Sequence, residues 1–425
     1  MTSPLDEVTA LSTPAATELF EQCRPLGEAF ATAGYRLYIV GGSVRDLLLG
    51  DTSVEPDLDF TTDALPSESK RLLAPLAQSL WTQGERFGTI AAHVDDRLVE
   101  VTTHRAESYE PDSRKPNVAY STEVAVDLGR RDFTINALAI EVTQPEPALI
   151  DPFHGLADLC ARRLATPLSP EESFSDDPLR MMRAARFVAR FDLVAQRELV
   201  DAVESMHHRL SVVSVERIRD EFEKLLSLRD PQRGLAFLID HSLADGFVPE
   251  LTESVLGRID WSLLRRDPHV RLAAILAVDP RVDATARLRR LRHSKTTVQR
   301  VGGVVRGVRT LIDHAGPWSA GDVRRFVAGR FDLVGDIVEV AGALGAAGAT
   351  ELDSAIRELS VRENLAEMSI PIDGRGVMED LGLAAGRQVG DALAHLTAHR
   401  LEVGPFDRAE ATEVLREWLA RRSES

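Results

Sequence analysis

Two periods of apolar residues divide this chain. Between residues 35 and 142, short runs alternate apolar and polar positions or carry β-branched and aromatic residues: "YRLYIV" (35–40), "DLDFTT" (57–62), "GTIAAHV" (88–94), "LVEVTTHR" (98–105) and "LAIEV" (138–142). These predict strands. "TELFEQCRPLGEAFATAG" and "PSESKRLLAPLAQSL" carry the three-to-four spacing of helices, the second opening on Pro66. After about residue 173 the spacing is helical almost throughout, as in "DDPLRMMRAARFVARF" and "VERIRDEFEKLLSL". "ATPLSPEES" (165–173), with two prolines, reads as a boundary, and "AGALGAAGA" (341–349) as a hinge or a tightly packed turn. The pattern predicts an α+β chain, an α/β head followed by a long α-helical body.

Composition narrows the classes. The 425 residues are 44% hydrophobic, enough for a large core. No apolar run reaches about 18 residues, so no membrane span is expected. The N-terminus "MTSPLDEVTALSTPAATELF" lacks a basic start and apolar core, which points to the cytoplasm. Cys23 and Cys160 cannot form a disulfide framework and read as small buried apolar residues. The formal net charge of −17 argues against a nucleic-acid partner until charge is read locally. The stretch 287–309 holds Arg287, Arg289, Arg290, Arg292, Lys295, Arg300, Arg306 and Arg309 and no acid. It reads as an RNA-backbone surface, or else as a solvated helix face with counter-charges elsewhere.

Candidate chemistry begins at "GGSVRDLLLGDTSVEPDLDFTT" (41–62). Gly41 and Gly42 between a strand and a helix let backbone approach a ligand, the helix start offers free amides, and Arg45 adds a fork suited to phosphate. In "DLDFTT" Asp57 and Asp59 share one strand face while Leu58 points to the core. Adjacent carboxylates repel unless a cation screens them, and such a pair suits Mg²⁺ carrying substrate phosphates. Glu100, on a later strand, could supply a third acid. "GRRDFTINALAI" (129–140) gathers Arg130, Arg131, Asp132 and Asn136 after the long polar segment "ESYEPDSRKPNVAYSTEVAVDLG", which reads as a mobile loop over a site. "SDDPLRMMRAARF" places Asp177 as a helix cap with Arg180 on an adjacent part of the same face, and Arg183, Arg186 and Arg190 follow among apolar residues.

These four motifs, in this order, resemble the class II tRNA nucleotidyltransferases (CCA-adding enzymes) and bacterial poly(A) polymerases. The similarity continues through "IDPFHGLADL", "SVERIRDEFEKLL" and "PIDGRGVMEDLGLAAGRQVGDAL", nearly the whole chain. It implies a nucleotidyltransferase head (1–165), a helical neck with the base-reading motif (166–230), a helical body with the basic stretch (231–340) and a helical tail (341–425). It also implies Asp57 and Asp59 as metal-binding catalytic carboxylates with Mg²⁺ as cofactor, and Gly42 and Arg45 as triphosphate contacts. Arg131, Asp132 and Asn136 fall in the motif for the nucleotide's sugar and phosphates. Asp177 and Arg180 match the base-reading pair, Arg183 and Arg186 further nucleotide contacts, and Asp176 stands where the family has glutamate. The implied partners are the tRNA 3′ end, CTP and ATP. Poly(A) addition, or addition of CC or A alone, is the alternative; the modest C-terminal "LREWLARRSES" favours CCA addition over the basic extensions of poly(A) polymerases. Many bacterial relatives carry a His-Asp phosphohydrolase domain; this chain has no "HD" dipeptide, so His269 and His293 read as surface or capping groups and no such activity is expected.

Overall fold

The computed structural model describes residues 11–50, 58–95, 97–108 and 117–423. The chain divides into two compact units, one of residues 1–225 with 233–246 and one of 226–232 with 247–425. The first unit runs past residue 165 without a division there.

In the first unit a seven-stranded mixed sheet is ordered β3-β4-β5-β2-β1-β8-β9. Its strands are β1 (Leu37–Val40), β2 (Leu58–Thr62), β3 (Ser79–Trp81), β4 (Thr89–Val94), β5 (Arg97–Thr103), β8 (Ala139–Glu141) and β9 (Ala148–Ile150). Only β2 and β5 run parallel; the other neighbours are antiparallel. Two further strands, β6 (Arg105–Ser108) and β7 (Asn117–Tyr120), pair outside the sheet. The segment expected as a loop is thus partly a two-stranded ladder, continued by the helix Val124–Gly129, with residues 109–116 outside the described part. The second sequence helix is shorter than expected. It runs Pro66–Leu73, with Pro66 in its first turn, and its expected end contributes β3.

The helix Pro14–Thr32 is started by Thr13, whose side chain accepts from Ala16 N, and buries Ala16, Leu19, Cys23, Leu26 and Phe30 along one stripe. Cys23 is buried as expected, and burial pushes its thiol up to about 12. Cys160 corrects the sequence reading, because it is exposed at the end of the helix Gly155–Cys160. That helix braces the site segment. Asp151 caps its first amides at 2.7 and 3.0 Å, and Asp158 accepts from Thr134 Oγ1 at 2.7 Å. Gly155 is required there, since a Cβ would meet the Thr134 carbonyl oxygen at 2.1 Å.

The second unit is helical throughout its described part. Its tail helices Gly374–Leu381, Arg387–Val403 and Arg408–Ser423 close on Val377, Ala392, Leu396, Ala411 and Leu415. Beside them Glu363 binds two arginines at once, Arg324 at 2.8 Å and Arg400 at 2.8 Å, and all three side chains are buried. Burial pushes the Glu363 carboxyl up, but the two guanidiniums outweigh this and hold it below the usual range. Glu363→Ala leaves two buried cations without their acceptor and is expected to cost about 3–5 kcal/mol by denaturant unfolding. A loss below about 1 kcal/mol contradicts the triad's role. No described helix is long and apolar enough to cross a membrane.

Candidate active site

Strand pairing explains how distant motifs meet. Because β1 and β2 are antiparallel with Ile39 opposite Phe60, the C-terminal end of β1 lies beside the N-terminal end of β2. Gly41 follows β1 directly, and Asp59 lies at that same end of β2. The antiparallel partner on the other side, β8, starts opposite Val40, so residues 130–138 reach the same end; Gly41 N donates to Leu138 O at 3.3 Å. Gly41 has φ +75, a left-handed conformation, and a Cβ would meet Arg131 Nη1 at 2.9 Å. The backbone conformation therefore demands glycine, whereas the Arg131 guanidinium could move aside for a Cβ.

At the start of β2 the alternation is as the sequence predicts, with Leu58 and Phe60 buried and Asp59 exposed, but it ends there. Asp57 lies outside the described residues. Glu100 is opposite Asp59 in the parallel β2/β5 ladder and is also exposed, so the two carboxylates occupy neighbouring positions on one face. That is the hard-oxygen donor set a divalent ion requires. Next on this face Thr61 is buried, its Oγ1 2.8 Å from Nδ1 of the buried His104. Burial lowers the His104 pKa. Nothing in the local sequence marked this histidine.

The second motif is more tightly bonded than its sequence suggests. Asp132 is buried and accepts from Phe133 N and Asn136 Nδ2, each at 2.9 Å, on one oxygen, and from Arg183 Nε at 2.8 Å on the other. Burial pushes its carboxyl up, yet Arg183 and Asn136 prevail and hold it below the ordinary carboxylate range. Asn136 in turn accepts from Arg45 Nη1 at 2.5 Å. Arg45, 4% exposed, also bonds Asp46 at 2.8 Å and lies 4.4 Å over the Phe191 ring. Its guanidinium is turned into the protein, where burial lowers its pKa. Arg130 and Arg131 share Asp127, at 2.8 and 3.4 Å, and Arg131 Nε has no hydrogen-bond partner among the described residues.

The base-reading motif lies on the helix Leu179–Phe191, docked against this segment by Arg183 and by Phe187, whose ring is 5.2 Å from Phe133. The helix begins one residue later than expected, with Pro178 rather than Asp177 at its N-cap; Asp177 ends the preceding helix Pro170–Asp176, and its Oδ1 accepts from Leu179 N at 3.1 Å. Its Oδ2 accepts from Arg217 Nη2 at 2.8 Å. Arg180 points elsewhere, donating to Ser173 Oγ at 2.8 Å and to the Arg130 carbonyl. Arg186 is buried against Glu221 at 2.8 Å, and Arg190 lies 3.8 Å from Asp46. Asp46, Asp127, Arg217 and Glu221 were not singled out from sequence.

The basic stretch splits. Arg287 is drawn in by Glu250 at 2.9 Å, Arg300 bridges Asp267 and Asp336 at 2.9 Å each, and Arg309 donates to the carbonyls of Leu276, Asp279 and Val282. Arg289, Arg290, Arg292, Lys295 and Arg306 are exposed. His269 and His293 stand together, ring centroids 5.8 Å apart.

Known proteins match this arrangement. Residues 37–165 fit the poly A polymerase head domain, and 196–254 fit the probable RNA and SrmB- binding site of polymerase A. The CCA-adding enzyme of Lactobacillus helveticus is 32% identical over 399 residues, spanning 91% of this chain and 95% of that one. The chain belongs to the CCA-adding enzyme family. That of Lactococcus lactis is 39% identical over 243 residues, covering 57% of this chain and 59% of its own. The Bacillus stearothermophilus CCA-adding enzyme in complex with CTP superposes with a TM-score of 0.77 at 25% identity, covering 97% of this chain and all of that one. The Thermotoga maritima enzyme complexed with tRNA shares the fold, with a TM-score of 0.68 at 23% identity over 97% of this chain and 98% of its own. The α+β architecture is that of the family, the chain is a nucleotidyltransferase, and the family uses divalent metal ions.

Proposed function

We propose that this protein adds CCA to the 3′ end of tRNA, from CTP and ATP, in the cytoplasm. The observation that carries this reading is the convergence of the Gly41 turn, the paired Asp59 and Glu100, and the Arg131–Asn136 segment at one end of the sheet. In the reaction the RNA 3′-oxygen forms a bond to the α-phosphorus of the nucleotide, and the bond to pyrophosphate breaks.

Asp57, Asp59 and Glu100 would hold two divalent ions, with Mg²⁺ the expected metal. The chemistry supplied by the bound ions is activation of the 3′-hydroxyl and neutralisation of charge on the departing pyrophosphate. Gly41 and Gly42 would let backbone amides approach the triphosphate closely beside Arg131. Arg45, Asn136, Asp132 and Arg183 form a bonded row beneath it, so they hold the pocket's shape as much as they touch the nucleotide.

Base choice falls to Asp177 and Arg180. Cytosine and adenine each present an amino donor beside a ring-nitrogen acceptor, matching a carboxylate and a guanidinium. Uracil and guanine reverse that order, and the unpaired polar groups reject them. Arg180 must give up the Ser173 and Arg130 contacts, or use its remaining N–H groups, to meet a base.

Incubating the purified protein with tRNA ending at the discriminator base, Mg²⁺ and CTP, ATP or both, then sequencing the 3′ ends, tests this. CTP alone should give two C residues, and both nucleotides CCA followed by arrest. A long A ladder without CTP would make it a poly(A) polymerase, and arrest after CC with both present a partial enzyme.

The exposed part of the basic stretch should contact RNA phosphates. Changing Arg289, Arg290 and Arg292 to Ala is expected to weaken tRNA binding and flatten the log–log salt slope by about 0.9 per lost contact. An unchanged slope means a solvated face.

A further inference from the structure

The helix Val215–Leu226 presents Arg217 and Glu221 four residues apart, hence on one face. Both charged groups reach the base-reading element. Glu221 meets Arg186 in a buried pair at 2.8 Å, while Arg217 meets Asp177 at 2.8 Å in a pair whose side chains are 52% and 27% exposed. Arg186 lies within the helix Leu179–Phe191, whereas Asp177 precedes it, so the two contacts hold that element at separate points.

These contacts differ in what they can do. The buried pair anchors the helix, because loss of either partner strands a charge away from water. The exposed pair contributes little to stability. Its effect falls on Asp177 itself. One carboxylate oxygen is fixed by Leu179 N at 3.1 Å and the other by Arg217 Nη2, and two bonds on two oxygens set the plane of the group. With Leu179 N alone, the carboxylate is free to rotate about a single contact. Hydrogen-bond selection depends on alignment, and a group that can turn accepts the wrong base edge more readily.

We propose that Arg217 is a positioning residue for base selection: it fixes the Asp177 carboxylate in the orientation that accepts the amino groups of cytosine and adenine. This rests on Asp177 acting as a base reader. A catalytic metal or phosphate role for Arg217 is not implied, since its contact in the structure is with the reading carboxylate.

The test compares Arg217→Ala, Arg217→Lys, Asp177→Ala and the double Ala variant, measuring kcat/KM for correct and incorrect nucleotides and the melting temperature of each. Arg217→Ala is expected to lower C-over-U and A-over-G discrimination about tenfold, a loss comparable to one hydrogen bond. The change should lie mainly in KM for the correct nucleotide, with little shift in melting temperature. Arg217→Lys, which keeps the charge without the fork, should recover part of the discrimination. In the double variant Arg217→Ala should add nothing to the loss from Asp177→Ala, because it acts through that residue. Wild-type selectivity in Arg217→Ala, or a further loss in the double variant, overturns the proposal while leaving the reading of Asp177 intact. Wild-type selectivity in Asp177→Ala overturns both.

Discussion

Asp59→Ala should abolish incorporation of both C and A, with kcat reduced by roughly a thousandfold or more. Asp59 and Glu100 are neighbours on an exposed sheet face, and two carboxylates so placed are held there at a cost unless cations occupy the site. Metal stabilisation of transition-state charge is worth several kcal/mol, and about 4 kcal/mol corresponds to a thousandfold in rate. Stability should change by less than about 1 kcal/mol, because the position is exposed. tRNA affinity should stay within a few fold, since the exposed cations of the basic stretch lie in the other compact unit. Single-turnover incorporation from labelled CTP and ATP, beside filter binding of tRNA, checks all three. A variant within about tenfold of the parent removes Asp59 from the metal site. Asp57→Ala should behave alike.

How much of this could be read in the sequence depended on the distance over which each residue acts. Asp59 was legible because strand alternation is a local rule, and Leu58 and Phe60 on either side fixed which way it faced. The glycine turn was legible because a strand, two glycines and a helix are contiguous. The order and type of the main elements followed for the same reason. Six short strands among the described residues were missed: β3 and β9 have three residues each, the paired β6 and β7 four each, and two further pieces, Arg163–Leu164 and Val194–Ala195, only two, too few for an alternation to show.

Partners far apart in sequence left no such trace. Asp177 finds Arg217 forty residues on, Asp132 finds Arg183 fifty-one on, and Arg186 finds Glu221 thirty-five on. Periodicity places each residue on a face but cannot say which faces meet. The basic stretch shows the limit most plainly. Counting charge gave eight cations and no acid between residues 287 and 309, yet Arg287, Arg300 and Arg309 are engaged with acids or carbonyls of the same unit. Net charge over a window is blind to such pairing. Arg45 was expected to point at phosphate, but it lies against Phe191 and Asn136, because a helix face that close to the neck is covered.

In the proposed reaction protein side chains, rather than a nucleic-acid template, choose the base. Asp177→Ala removes the acceptor for the amino groups of cytosine and adenine, so their advantage over uracil and guanine should shrink by roughly 1–3 kcal/mol, or about 5- to 150-fold. Arg180→Ala should act likewise, with some loss of rate because its bonds to Ser173 and Arg130 also hold the neck on the head. If Asp177 serves only as a cap for Leu179, the same change costs about 1 kcal/mol of stability and leaves selectivity alone. The decisive measurement is misincorporation of U and G by Asp177→Ala, taken beside its melting temperature. A marked rise in U and G at the tRNA 3′ end is expected. A variant that melts lower but still selects C and A as strictly as the parent would contradict it.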